Sequence, residues 1–446
     1  MGKIGPRLRS LMAGIEKQGT LATADEFAMI AATAEGAEGG DTLPLIVQRT
    51  PSAPIEGEDW LEYKDRIGGE LEPLRQIYTD GHGQPLYLAN AIAGQFTVPQ
   101  VEGLAEREDI SLVELDQLFD ATLMDDAVLD VGVTPFLRNH MGVTGQGVRV
   151  AILDSGVDTK HPFLDVVDSV STCGEDIAIP GSHGTHCAGS VASRDVNFPG
   201  IAPDVELLNI KVLKHDGRGN HNMINQGIDR ALDLNADILS MSLGFNHLPR
   251  WSSGGHGWSC SDGRCPLCTA VDNAVAFGKI VCVAAGNEHS RAETLRNFGD
   301  GDKFDTELGC PGQSRSAITV GALTKRTFLA APFSSHGPTS YGASKPDLSG
   351  PGVNVMSTVP VPRNPDGTPV ANPSRADLFD RKSGTSMATP IVSGALALIL
   401  QARRQAGLDV TPGAIRKVLL DDAVSALNSP DPLVFGAGRI ELTRFR

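Results

Sequence analysis

Three short stretches of this sequence carry side chains that together could do nucleophilic chemistry. Gly384-Thr385-Ser386-Met387-Ala388-Thr389-Pro390 runs straight into the apolar Ile391–Leu398. A serine among small residues at the mouth of an apolar helix can expose its hydroxyl while backbone N–H groups point at a developing negative charge. Alone, that stretch reads equally well as a helix N-cap. Two partners upstream decide the matter. Gly147 to Asp158 contains the β-branched run Val148-Arg149-Val150-Ala151-Ile152-Leu153, which delivers Asp154 at its carboxyl end, where the ligand chemistry of open parallel sheets collects. Gly181-Ser182-His183-Gly184-Thr185-His186-Cys187-Ala188-Gly189 has the glycines that let a helix start close against a sheet, with an imidazole at its first turn. Ser386 is therefore read as a nucleophile, His183 as its base and Asp154 as the group that orients the base. His186 is read as a satisfied structural histidine.

These groups need a rigid scaffold, and the sequence supplies its elements. Asp237-Ile238-Leu239-Ser240-Met241 and Ile280-Val281-Cys282-Val283-Ala284 read as buried parallel strands. Ahead of them, residues 1–40, rich in Ala, Gly and Glu, are expected to be a flexible or helical extension. From Thr42 the pattern changes to a strand at Leu43–Gln48, an amphipathic helix at Glu58–Arg75 and a second strand at Pro85–Phe96 with a bulge at Gly94. A short helix at Val98–Arg107 and a strand at Ser111–Leu115 follow, which makes a split βαβ, ferredoxin-like α+β unit.

Composition narrows the classes of partner. A formal net charge of −16 argues against a nucleic-acid groove, and aromatic residues at 5% suggest no stacking platform. No apolar run is expected to reach the length of a membrane span. The N-terminus offers only Ser10–Ile15 between Arg9 and Glu16, too short for a secretory signal core. Seven cysteines, an odd number, suit a reducing compartment better than a disulfide framework, so a cytoplasmic location is expected.

The three motifs, in the order Asp, His, Ser, resemble those of the subtilisin-family serine proteases, the subtilases. The likeness runs from about Val133 to Phe435-Gly436-Ala437-Gly438-Arg439-Ile440. It includes Ser240-Met241-Ser242-Leu243-Gly244 and Ala284-Ala285-Gly286-Asn287, which are similar to the two walls of the family's main specificity pocket, and Gly309-Cys310-Pro311-Gly312 at its base. The resemblance implies a three-layer α/β fold with a central, mainly parallel sheet over residues 127–446. It implies an inhibitory propeptide domain over 41–126, and Asn287 as the side-chain donor to an oxyanion. Ser242, Leu243, Gly244, Ala285, Gly286 and Gly309 would line a pocket for a large apolar residue such as Leu, Met or Phe. The activity implied is peptide-bond hydrolysis with no cofactor for catalysis, by a self-inhibited zymogen processed near Leu123 to Val128. The chain's own N-terminal domain is the expected intramolecular inhibitor, and peptides or proteins are the expected substrates. A dedicated processing protease for one partner, or a silent peptide-binding regulator, are the competing readings.

The sequence also departs from the family. A calcium ligand that many members carry after the catalytic aspartate falls here at Phe163, which cannot ligate, and the segment Ser193–Gly200 is short; that calcium site is not expected, while acidic residues near Asp300 and Asp302 leave other calcium sites open. An insertion at Pro360–Arg381 reads as a surface loop. A second, Phe245–Cys268, holds Cys260, Cys265 and Cys268 in the spacing C-x4-C-x2-C around Gly263. Such spacing suits three thiolates on one tetrahedral metal. Resemblance brings Cys310 close enough to be the fourth ligand, with His256 in reserve. Structural zinc, a pair of disulfides and unpaired thiols all remain open. Cys187 and Cys282 are read as buried hydrophobes.

Overall fold

The computed structural model describes residues 43–445 apart from short gaps, the longest being 121–128 and 249–259. The N-terminal extension, the expected processing stretch Leu123–Val128, His256 and the acidic residues Asp300 and Asp302 lie outside the described residues.

Nine strands form the main sheet. In chain order they are β6 (Arg149–Asp154), β7 (Val166–Ser171), β8 (Glu206–Lys211), β10 (Ile238–Met241), β11 (Ile280–Ala284), β12 (Ile318–Leu323), β13 (Leu348–Pro351), β16 (Val424–Ser425) and β17 (Arg439–Ile440). They lie side by side as β16-β17-β13-β12-β11-β10-β6-β8-β7, and every neighbouring pair is parallel except β16 with β17. Successive strand residues point to opposite faces, and here both faces are apolar. Val150 and Ile152 enter one core while Ala151 and Leu153 enter the other, and β11 divides Ile280 and Cys282 from Val281 and Val283 in the same way. Burial on both faces is why these strands read as continuous apolar runs.

Helices cover the two faces, which makes three layers. One face carries α3 (Ser182–Ala192) and α7 (Thr385–Gln405); the other carries α4 (His221–Asp233) and α5 (Pro266–Ala276). From Thr385 to Gln401 every residue of α7 is buried. Its length and composition would suffice to cross a membrane, a correction to the sequence reading, but 94% of its most apolar stretch is buried inside the protein. It is a core helix. The segment read as a surface loop at 360–381 is partly ordered by the antiparallel pair β14 (Val355–Thr358) and β15 (Phe379–Lys382), with Leu378 and Phe379 buried.

The N-terminal unit is a four-stranded antiparallel sheet in the order β2-β3-β1-β4. Its elements are β1 (Leu43–Arg49), α1 (Trp60–Thr79), β2 (Gln84–Leu86), β3 (Ala91–Phe96), α2 (Val98–Glu106) and β4 (Ile110–Leu115). This is the ferredoxin-like order. Two details differ from the sequence reading. The stretch Pro85–Phe96 is not one strand: a single turn of 3-10 helix at Tyr87–Ala89 and Asn90, at φ +47, fold it into the pair β2 and β3. Asparagine tolerates that left-handed conformation, and the apolar residues on either side disguised the turn. The pairing of β1 with β3 runs without interruption past Gly94, and the one register shift lies between Gln48 and Arg49 against β4.

This unit shares a core with the main domain. Trp60 and Tyr63 on α1 meet Phe277 edge-on at 5.6 and 4.8 Å between ring centroids. Asp233, in the last turn of α4, accepts from Trp60 Nε1 at 3.0 Å and pairs with Lys64 Nζ at 2.8 Å. Asn273 on α5 donates to Tyr63 Oη and to the Leu88 carbonyl. Gly189, the eighth residue of α3, shows how closely the layers fit: a Cβ there would lie 2.2 Å from Thr358 Oγ1 and 2.9 Å from its backbone nitrogen. Gly189→Ala is therefore expected to destabilise the fold by about 1–3 kcal/mol, read as a lower denaturation midpoint with an unchanged denaturant slope.

Candidate active site

The site lies along the carboxyl edge of the sheet, at the strands where the order of connections reverses around β6. In open α/β sheets that edge is the ligand crevice. Asp154 ends β6, Ser242 follows β10, Asn287 follows β11, and the N-termini of α3 and α7 bring His183 and Ser386 to the same edge.

Asp154 is fully buried. A carboxylate withdrawn from water needs hydrogen bonds, and Ser155 donates to Oδ1 through both its backbone N–H at 2.6 Å and its hydroxyl at 3.0 Å. His183 Nδ1 lies 2.8 Å from each carboxylate oxygen. Because a carboxylate only accepts, Nδ1 carries the proton and Nε2 is the basic nitrogen of the neutral ring. Burial opposes the charged ring, but the Asp154 carboxylate outweighs it and holds His183 well above the ordinary imidazole range. Burial instead raises the Cys187 thiol, whose Sγ sits 3.9 Å from His183 Nδ1, so this sulfur stays neutral. His186 is the structural histidine: its Nε2 meets the Val355 carbonyl at 3.0 Å, and burial keeps it neutral.

Glycines make the meeting of β6 and α3 geometrically possible. A Cβ on Gly181 would sit 2.0 Å from Ser155 Oγ, and one on Gly184 would sit 2.6 Å from the Gly156 carbonyl. Under the loop, Lys211 is wholly buried, donating to the Ser155 carbonyl at 2.6 Å and pairing with Glu175 at 2.7 Å. Burial opposes the charge on Glu175, but Lys211 and His215 override it and bring its carboxyl down to about 2.

Ser386 occupies the first turn of α7. Its hydroxyl donates to the Ser242 carbonyl at 3.1 Å, and Ser242 Oγ donates back to the Ser386 carbonyl at 2.7 Å. Cys187 Sγ, beside His183, lies 3.6 Å from that same carbonyl, which places α3 and α7 side by side here. Asn287 Oδ1 accepts from the Thr385 backbone N–H at 2.9 Å and from its hydroxyl at 3.1 Å. With its oxygen engaged, the amide nitrogen of Asn287 is left to donate elsewhere.

The residues expected to line the pocket also converge. Gly309 N–H donates to the Ala285 carbonyl at 3.1 Å, and Phe245 and Cys310 exchange backbone hydrogen bonds at 2.8 and 2.9 Å. Gly286 adopts φ +112, where a Cβ would meet Ser335 Oγ at 2.8 Å; only glycine fits. Ser242, Leu243 and Gly244 continue from β10 alongside, with Gly244 against the Cys310 carbonyl. Phe163, where the family resemblance would place a calcium ligand, packs with His161 and Phe379.

Sequence reasoning passed over Ser155, Lys211 and Thr385. A signal existed for Lys211, a lone cation closing the apolar strand Leu207-Leu208-Asn209-Ile210. Thr385 gave none, because its partners come from residues about a hundred positions away.

The model of the Subtilase family matches residues 145–438. The chain is 34% identical over 365 residues to the serine protease AprX of Bacillus subtilis, covering 76% of this chain and 74% of that protein. It is 36% identical over 320 residues to subtilisin E of the same organism, covering 70% of each. Against the intracellular serine protease of Paenibacillus polymyxa it is 35% identical over 312 residues, covering 67% of this chain and 80% of that one.

The geometry around Asp154 sets a titration. In a Ser386→Ala chain, NMR should find His183 protonating above the ordinary imidazole value of about 6.5. Asp154→Asn removes the charge that opposes burial, so the midpoint should fall below that value.

Proposed function

This chain belongs to the subtilase family and is a serine protease, and from that premise we propose both its catalytic roles and the way it is held inactive. Ser386 is the nucleophile. Its hydroxyl turns from the Ser242 carbonyl toward Nε2 of His183, which takes the proton as Oγ attacks the substrate carbonyl. Asp154 fixes the ring's tautomer and stabilises the imidazolium without being protonated itself. The oxyanion of the tetrahedral intermediate is met by the Asn287 amide nitrogen and the Ser386 backbone N–H, both preorganised before substrate arrives. His183 then returns the proton to the leaving amine. The pocket walls, Ser242, Leu243, Gly244, Ala285, Gly286 and Gly309, carry no charge and all but Leu243 are small, which suits a large apolar side chain such as Leu, Met or Phe.

The protein is made as a self-inhibited zymogen, with residues 41–126 as inhibitor and 127–446 as catalytic domain. The observation that carries this reading is an antiparallel pair, β5 (Leu118–Asp120) with β9 (Arg218–Asn220). Strand β9 stands apart from the main sheet in the stretch just after β8, whose last residue pairs with Asp154. A strand laid on such a free edge takes the place of an extended peptide substrate, with main-chain hydrogen bonds supplying affinity. The shared core around Trp60, Tyr63 and Phe277 anchors the inhibitor, and the chain that follows Asp120 carries the bond to be cut. Processing near Leu123 to Val128 would release the strand. A cytoplasmic site of action is favoured by the likeness to relatives named as intracellular proteases.

Purified wild-type chain should be cut between residues 123 and 128, whereas Ser386→Ala should remain full-length and lose peptide hydrolysis by about a million-fold, the magnitude known for subtilisin. Intact-mass analysis and a fluorogenic peptide read the two effects. In the processed enzyme Asn287→Ala should lower kcat by about 100- to 1000-fold with little change in KM, again the loss established for subtilisin.

A further inference from the structure

Four buried cysteines converge at a place that plays no part in bond cleavage. The sulfurs of Cys260, Cys265, Cys268 and Cys310 all lie within 4.8 Å of one another, and each residue is at most 4% exposed. Cys310 Sγ is 3.7 Å from Cys265 Sγ and 3.5 Å from Cys268 Sγ. A zinc ion bound tetrahedrally with Zn–S bonds of about 2.3 Å holds its sulfurs about 3.8 Å apart. The observed spacing has that form. Cys310 stands nearly equidistant from two partners, whereas a disulfide would single out one of them at about 2.05 Å.

The surroundings suit thiolates. Gly263, at φ +69, closes a tight turn in which its N–H donates to the Cys260 carbonyl at 3.1 Å, and a Cβ there would lie 2.5 Å from the Tyr341 ring. The turn aims the Cys265 backbone N–H at Cys260 Sγ, 3.3 Å away, the kind of outer hydrogen bond that orients and tunes a metal ligand. Cys265 is the N-cap of α5 and Cys268 lies in its first turn, so the positive end of the helix dipole faces the cluster. The set offers no oxygen donor and no open position. Four sulfurs in a closed shell suit zinc in a structural role; magnesium and calcium prefer oxygen.

We propose that Cys260, Cys265, Cys268 and Cys310 bind one structural zinc ion, which clamps the turn at Gly263 and the start of α5 to the base of the specificity pocket. Cys310 follows Gly309 directly and pairs through its backbone with Phe245, so the metal fixes the pocket base from behind. Helix α5 in turn presents Asn273 to Tyr63 and Leu88 of the N-terminal unit. Metal binding does not depend on the protease reading; only its effect on the pocket does.

The test uses the full-length Ser386→Ala chain, purified without chelator, so that proteolysis cannot confuse it. Elemental analysis should find about one zinc per chain, falling below about 0.1 in an added Cys268→Ser and staying near one in an added Cys173→Ser. Should Cys268→Ser fail to fold, cobalt exchanged into the Ser386→Ala chain gives an independent answer: intense thiolate-to-cobalt absorption with tetrahedral ligand-field bands supports four sulfur ligands. Disulfides among these cysteines on peptide mapping, a metal-free chain with all seven thiols reactive, iron in place of zinc, or zinc retained by a folded Cys268→Ser would each overturn the proposal. If zinc is found but Ser386 of the wild-type chain proves unreactive toward a fluorophosphonate, the metal site stands and the protease reading alone fails.

Discussion

A carboxylate sealed from water at the end of a strand governs this structure. Asp154 is tolerable in the interior only because Ser155 donates to it twice and His183 completes the set. Several features of the sequence serve that one arrangement. Gly181 and Gly184 allow α3 to press its first turn onto the loop after β6, and Gly156 takes φ +97 to turn the chain beneath it. Lys211, equally buried, holds the Ser155 carbonyl from below. The imidazole is thereby given one tautomer and one orientation before any substrate arrives, which is how the protein supplies preorganisation instead of relying on reorganisation during reaction.

The parallel sheet turns this local constraint into a site. Adjacent strands end at the same edge, so Asp154, Ser242 and Asn287 share it although they are widely separated in sequence. Helices that return to a parallel sheet begin at that edge as well, which is why His183 and Ser386 both sit at helix starts. Thr385 links the pieces: its backbone and hydroxyl bind Asn287, and its hydroxyl accepts from Gly286 N–H. Ser386, Asn287 and Gly286 are therefore tied together through one residue.

How much of this could be read from the chain follows the range of the interactions. The motifs around Asp154, His183 and Ser386 are local patterns of small residues and apolar runs, and they were legible. The strands Ile238–Met241 and Ile280–Ala284 were legible because burial on both faces leaves a continuous apolar signature. The β2–β3 turn was hidden, because Tyr87-Leu88-Ala89 is as apolar as the strands around it and only the conformation of Asn90 betrays the bend. Strand β9, Arg218-Gly219-Asn220, has no strand-forming side chain at all. It is a strand only through its pairing with Leu118–Asp120, and a partner a hundred residues away leaves no mark on local sequence. The convergence of Cys310 on the C-x4-C-x2-C turn was legible in part: the three-cysteine spacing is local, but the fourth position required knowledge of which segments border the pocket.

In the proposed mechanism Ser386 is a nucleophile activated by His183. That role is tested most directly by treating the processed enzyme with a fluorophosphonate and locating the adduct by mass spectrometry. A single adduct on the Ser386 hydroxyl is expected, formed far more slowly by a His183→Ala chain that has been processed in trans by the wild-type enzyme. An adduct on another residue, or labelling of Ser386 at an undiminished rate without His183, would contradict that mechanism.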